Sequence, residues 1–282
     1  MKYVELNNGV IMPILGFGVY RLSNEDCERC VSDALQVGYR LFDTAQIYSN
    51  EAAVGAAIYK SGIPRKDIFL TTKVWITNYS YKACYDSVLE SLYKLKTDYL
   101  DLCLLHQPFA DYYSAYHALE DLYKEGKIRA IGVSNFYPDR LVDIASFTEV
   151  PPTVNQIELH PLHQQETARS WNETYHVQTE AWAPFGEGTG NMFELPELKE
   201  LGNRYGKTVA QVILRWHIQR GIVVIPKSSH LKRIKENFDG FDFSLTPEDM
   251  AVITSLEQEK GALMSHVDPN VVARYAKRAR GE

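Results

Sequence analysis

No stretch of the sequence approaches the roughly 18 apolar residues of a membrane-crossing helix, and the opening MKYVELNNGV lacks the basic-then-apolar layout of a secretory leader. A cytoplasmic protein with no membrane partner is therefore expected. Positive charge is in short supply as well: 30 Lys and Arg stand against 36 Asp and Glu, a formal net charge of −6. Surfaces for nucleic acid or anionic lipid want a basic excess, so neither partner is expected. Cysteine is scarce, at positions 27, 30, 84 and 103. Cys27 and Cys30 form a C-x-x-C, but inside SNEDCERCVSDALQVG, which reads as a helix with no strand leading into it. They read as two reduced thiols on a buried helix face. GFGVYR carries Gly16 and Gly18 but lacks the third glycine of a dinucleotide-binding fingerprint, so it is weak as a phosphate loop. Linkers, repeats and low-complexity tracts are absent, and residues 1–282 read as one domain.

Two metal or redox decoys fall away. His160 and His163 sit three residues apart in LHPLH, but a proline intervenes and no third ligand stands nearby, so no metal is expected. Tyr123 and Lys127 have the Y-x-x-x-K spacing of short-chain dehydrogenases, yet lie at a helix end broken by Gly126 and come without a glycine-rich loop.

What the sequence does have is alternation. KYVEL-NNG-VIMPIL reads as a β-hairpin. After it, LGFGV, YRLFDTA, DIFLTTKV, YLDLCLLH, IRAIGVSN, TVNQIE, VQTEAWA and GIVVIPKS read as eight strands separated by helical patterns. That is the pattern of an α/β protein built as a single (β/α)8 barrel, with the hairpin closing its bottom. An open doubly wound sheet is disfavoured by the count and by the lack of any composition shift. A content of 45% hydrophobic residues leaves ample material for such a core.

Working residues of such barrels lie where strands end. At those exits stand Asp43, Lys73, His106, Ser134 with Asn135, Gln156 with Glu158, Trp182, and Lys227 with Ser228; Tyr48 follows Asp43 by five residues. Each has an ordinary reading as a cap, a solvated cation or a rim residue. Together they make a chemistry. A phenol of pKa about 10 is a poor proton donor near neutrality, and a Lys73 ammonium beside Tyr48 should lower that pKa. Asp43 can hold Lys73 charged, and His106 can donate a hydrogen bond to a carbonyl oxygen. The group polarises a C=O and delivers a proton, and needs only an electron source.

GYRLFDTAQIYSNE, TTKVW, LLHQP, GKIRAIGVSNF and IPKSSHLKRIKEN, in this order and spanning essentially the whole chain, resemble the motifs of the aldo-keto reductase family. The resemblance implies a (β/α)8 barrel that reduces aldehydes or ketones with NADPH through an Asp/Tyr/Lys/His tetrad, which falls on Asp43, Tyr48, Lys73 and His106. It places Ser134, Asn135 and Gln156 on the nicotinamide carboxamide and Trp182 against the nicotinamide ring. Lys227, Ser228 and Arg233 fall on the adenosine 2′-phosphate, with Glu236 and Asn237 at adenine. Charge-assisted hydrogen bonds of about 1.5–3 kcal/mol each would then favour NADPH over NADH. Ala183 stands where many relatives have Ser.

Tyr20, Trp75 and Gln107 are expected in the substrate pocket, with Gln107 where many relatives have Trp. The tail LMSHVDPNVVARYAKRARGE resembles that of microbial members, including those similar to 2,5-diketo-gluconate reductases, and His266 could face either the pocket or the surface. Small aldehydes, 2-oxoaldehydes or sugar-derived carbonyls are the expected substrates. No obligate protein partner is evident, and a monomer is the family default. A non-catalytic NADPH-binding regulatory barrel is the alternative.

Overall fold

Asn7, Asn8 and Gly9 turn the chain between β1 (Tyr3–Glu5) and β2 (Ile11–Pro13), which pair antiparallel with Glu5 opposite Ile11. The computed structural model describes residues 2–258 and 261–282. Asn7 Nδ2 donates to Pro152 O and Asn8 Nδ2 to Arg129 O, both at 3.0 Å. The hairpin is thereby tied to segments that lead into two later strands.

Eight parallel strands follow, hydrogen-bonded in chain order: β3 (Phe17–Gly18), β4 (Leu41–Asp43), β5 (Phe69–Val74), β6 (Leu102–Leu105), β7 (Ile131–Ser134), β8 (Val154–Glu158), β9 (Gln178–Trp182) and β10 (Val223–Val224). The two edges meet. Leu15 bridges Val224, Gly16 N donates to Val224 O at 2.9 Å, and Val224 N donates to Ile14 O at 3.0 Å. The sheet is therefore closed, as the alternation predicts. β10 is shorter than GIVVIPKS suggests because Pro226 has no N–H for a ladder.

Parallel neighbours need crossover connections, and helices supply them. They are α1 (Asn24–Val37), α2 (Glu51–Ser61), α3 (Tyr81–Leu95), α4 (Tyr112–Lys124), α5 (Pro138–Phe147), α6 (Glu166–Thr174), and α7 (Pro196–Tyr205) with α8 (Val209–Gln219); α9 (Leu231–Phe238), α10 (Pro247–Thr254) and α11 (Pro269–Ala279) follow the last strand. In α1 the buried stripe is Cys27, Cys30, Val31, Ala34 and Leu35. The C-x-x-C is thus an i, i+3 pair on a core-facing helix side.

Side chains along each strand alternate between two faces. Leu41, Phe69, Leu102, Leu104, Ala130, Val154, Val223 and Ile225 point inward and pack with Leu6 and Met12 of the hairpin, which closes the bottom. Phe42, Leu70, Cys103, Leu105, Ile131, Val133 and Ile157 belong to the layer beneath the helices. Strands covered on both faces read as nearly continuous apolar runs, and each fully buried Leu or Phe contributes about 1.5–3 kcal/mol. The glycines of GFGVYR serve this packing. A Cβ on Gly16 would lie 2.1 Å from Leu41 Cδ2, and one on Gly18 would lie 2.9 Å from Ile225 O. Close backbone approach, not phosphate binding, explains them.

Candidate active site

β4 ends on Asp43 and β5 carries Lys73 inward beside it; they are 2% and 0% exposed. Lys73 Nζ donates to Asp43 Oδ1 at 2.5 Å and to Thr44 O at 3.1 Å. A buried ammonium is tolerable only with such partners. Burial pulls the Lys73 pKa down, but Asp43 and Tyr48 outweigh it, and the net shift is upward. Lys73 therefore stays charged.

Tyr48 closes a one-turn 3-10 helix, Gln46–Tyr48, directly after β4. Its position is set from both sides. Gln46 Oε1 accepts from Trp75 N and Asn78 Nδ2, each at 3.0 Å, and Asn50 Nδ2 donates to Val19 O at 3.0 Å. Lys73 Nζ lies 5.2 Å from the centre of the Tyr48 ring. The sequence suggests a lowered phenol pKa, and here the structure corrects it. Lys73 does pull downward, but burial is the larger influence and Asp43 adds to it, so Tyr48 is pushed up to about 12.

His106 follows β6, and its N–H donates to Val74 O at 3.1 Å. The imidazole stands edge-on to Tyr48, with ring centres 5.7 Å apart, and to Trp75 at 5.1 Å. Burial, then the Lys73 charge, hold it well below the ordinary histidine range. It is neutral, and its Nδ1 has no partner among the described residues.

Next to this group lies a polar ring formed by the end of β7 with Asn135 after it and by the second halves of β8 and β9. Ser134 Oγ donates to Gln156 O at 2.8 Å, and Asn135 Nδ2 donates to His106 O at 3.1 Å. Asn135 has φ +64°, a left-handed conformation that Asn tolerates better than most residues. Its Oδ1 accepts from Trp182 Nε1 at 2.8 Å, which pins the indole. Gln156 Nε2 donates to Asp43 Oδ2 and to Glu180 Oε2, both at 2.9 Å. Both amide hydrogens are thereby used, and Oε1 is left as an acceptor.

The remaining predicted residues gather as a second group. Lys227, Ser228, Arg233, Glu236 and Asn237 line a cavity of about 530 Å³ between the segment after β9 and the start of α9. Thr208 Oγ1 donates to Glu236 Oε1 at 2.9 Å, and Ser228 Oγ accepts from His230 N at 3.1 Å. Arg21, after β3, reaches Glu187, which follows β9 and also lines this cavity, at 3.0 Å.

Tyr20 packs on Tyr48 with ring centres 4.9 Å apart, and Trp75 packs on Tyr275 of α11 at 5.8 Å. Gln107 is 3% exposed, and its backbone is clamped by Tyr79: Gln107 N donates to the phenol oxygen at 3.0 Å while that O–H donates to Gln107 O at 2.9 Å. Aromatic wall is instead supplied by Phe109, 5.6 Å from Tyr275 and 6.0 Å from His266. His266 is inside rather than on the surface, at 5% exposure, and burial takes it down to about 4. Glu158 accepts from Leu263 N at 2.6 Å and so anchors the tail. Ala183 has φ +48°, and nothing in the structure explains an alanine there.

Sequence reasoning missed Gln46, Phe109, Tyr79 and Glu180. Glu180 had a signal: it shares parity with Gln178 and Trp182 on β9, so the alternation turns it inward.

A sequence model of the aldo/keto reductase family matches residues 14–258. The chain belongs to this family. It is 43% identical over 260 residues to methylglyoxal reductase DkgA of Escherichia coli K12, covering 91% of this chain and 94% of that one. With glyoxal reductase of Bacillus subtilis it shares 44% identity over 259 residues, covering 91% and 93%. Among solved structures, an aldo/keto reductase from Brucella melitensis superposes with a TM-score of 0.87 at 46% identity, covering 90% of this chain and 99% of that one. An aldo-keto reductase from Bombyx mori in complex with NADP superposes with a TM-score of 0.90 at 32% identity, covering 97% of each.

Proposed function

We propose that this family member reduces small aldehydes and 2-oxoaldehydes to alcohols with NADPH, with Tyr48 as proton donor. The observation that carries the reading is Lys73, wholly buried, paired with Asp43 at 2.5 Å and set under the Tyr48 ring. Its fit to NADPH rests on two features. Lys227 and Arg233 line the cavity near α9 and, among the described residues, neither forms an ion pair, so both are available to a 2′-phosphate. Gln156 Oε1, left as an acceptor, suits a carboxamide N–H. When bound, NADPH supplies hydride to the carbonyl carbon.

This chain's residues handle the oxygen. His106, neutral, donates a hydrogen bond from Nε2 and positions the carbonyl oxygen against Tyr48. With a pKa near 12, Tyr48 holds its proton throughout the neutral range, as an acid must. An alkoxide is far more basic than this phenolate, so the proton moves downhill once hydride arrives. Lys73 then stabilises the phenolate left behind. Ser134, Asn135 and Trp182 orient the nicotinamide. Tyr20, Trp75, Phe109 and Tyr275 wall a mouth that excludes water around a small substrate.

We place the protein in the cytoplasm as a monomer. Its four cysteines are buried free thiols, and no helix among the described residues is long and apolar enough to cross a membrane.

The test is steady-state NADPH oxidation with methylglyoxal, glyoxal, a keto-sugar acid and a fused-ring ketone. Methylglyoxal and glyoxal should exceed the fused-ring ketone in kcat/KM by at least about tenfold. Tight NADPH binding without turnover of any carbonyl would replace this reading with that of a cofactor-binding barrel.

A further inference from the structure

Glu180 is a second carboxyl group inside the barrel, and the reaction as described gives it no task. It lies at the middle of β9, 0% exposed, in register with Gln156 of β8 and Val223 of β10. Its Oε2 accepts one of the two Gln156 amide hydrogens, while Asp43 Oδ2 takes the other at the same 2.9 Å. The remaining oxygen, Oε1, is buried without a partner among the described residues. One amide thus spans two carboxyl groups, and Lys73 neutralises Asp43. A fully buried carboxylate without its own cation costs far more than the neutral carboxylic acid in the same place.

We propose that Glu180 is a positioning residue for the reductase chemistry: as a neutral acid it fixes the Gln156 amide and leaves Asp43 as the sole anionic partner of Lys73. The inference rests on the reductase reading of Asp43, Tyr48 and Lys73. Gln156 has a reason to be glutamine, since only its donor end can face both carboxyl groups while its acceptor end stays free.

The charged or titratable groups facing Glu180 are Asp43 from β4 and Lys73 from β5; β8 offers the neutral Gln156 and β10 the apolar Val223. Burial first, then the Asp43 charge, push Glu180 up to about 8 against the pull of Gln156 and Lys73. The sign follows. Below that pH the group is neutral. Above it, a second anion appears beside Lys73, offsets the ammonium's pull on Tyr48, and makes the phenol a weaker donor. Carbonyl reduction should therefore slow as pH rises through about 8.

The experiment compares wild type with Glu180→Gln, which stays neutral at every pH. NADPH oxidation is followed with saturating methylglyoxal from about pH 6 to about pH 9. Wild-type kcat should fall at least about fivefold across that range, and the variant's by less than about twofold, with KM for methylglyoxal parallel in the two proteins. Glu180→Met, also permanently neutral, should share the flat profile but have lower kcat throughout, because Gln156 loses an acceptor. It serves too if Glu180→Gln does not fold. Wild-type turnover at about pH 6 tests the reductase reading separately. If wild type turns over and its alkaline fall persists in either folded variant, Glu180 has no such role.

Discussion

The two halves of the barrel interior are built from the same strands and obey different physics. In the lower half Leu41, Phe69, Leu102, Ala130 and Val154 fill the space with apolar volume. Two or four residues further along the same strands come Asp43, Lys73, His106, Ser134 and Gln156. The period of two keeps both sets on the inner face. Below, contacts are non-directional, and similar volumes can substitute for one another. Above, each polar atom needs a named partner, and Lys73–Asp43 stands only because both groups are paired and bonded. The lower half makes the protein stable and the upper half makes it reactive. The upper half, though, can also unfold it.

Lys73→Met, in the polar half, should produce the largest effect, because it removes stability and reactivity together. Asp43 would be left buried without its cation, costing about 3–5 kcal/mol of stability, and kcat should fall about 10²–10⁴-fold. Urea unfolding and NADPH oxidation would read these, and a stabilised variant would break the comparison. Leu102→Ala, in the apolar half, should cost about 2–5 kcal/mol by the same unfolding assay. Its kcat should stay within about threefold of wild type, since it touches no partner of the polar layer. Arg233→Met should leave folding alone and weaken NADPH binding about tenfold, with NADH binding unchanged, by fluorescence titration. Arg21→Ala removes an exposed pair worth about 0–1 kcal/mol, so stopped-flow release of NADP+ should quicken by no more than about fivefold.

How much of this was legible depends on the distance over which each residue acts. Strand exits follow from alternation and length, so Asp43, Lys73, His106, Ser134 and Gln156 could be placed on one face from the sequence. The closed sheet and the hairpin beneath it followed as well. Residues that act through a side chain from another element were hidden. Gln46 reaches across to Trp75, and Tyr79 to the backbone of Gln107, through contacts that no local pattern announces. The Tyr48 pKa was misread for a related reason. The Lys73 charge is visible in the sequence, but the burial that outweighs it is a property of the packed barrel. His266 was ambiguous because only Phe109 and Tyr137, from two other loops, decide that it faces inward.

The most direct test of the proton-donor assignment is single-turnover reduction of methylglyoxal by the NADPH complex, comparing wild type with Tyr48→Phe. The account predicts a loss of at least about a hundredfold in the rate of NADPH oxidation, with NADPH affinity unchanged. Oxidation by Tyr48→Phe within about threefold of wild type would mean that another group protonates the carbonyl oxygen, and the assignment built on Lys73 and Asp43 would fall.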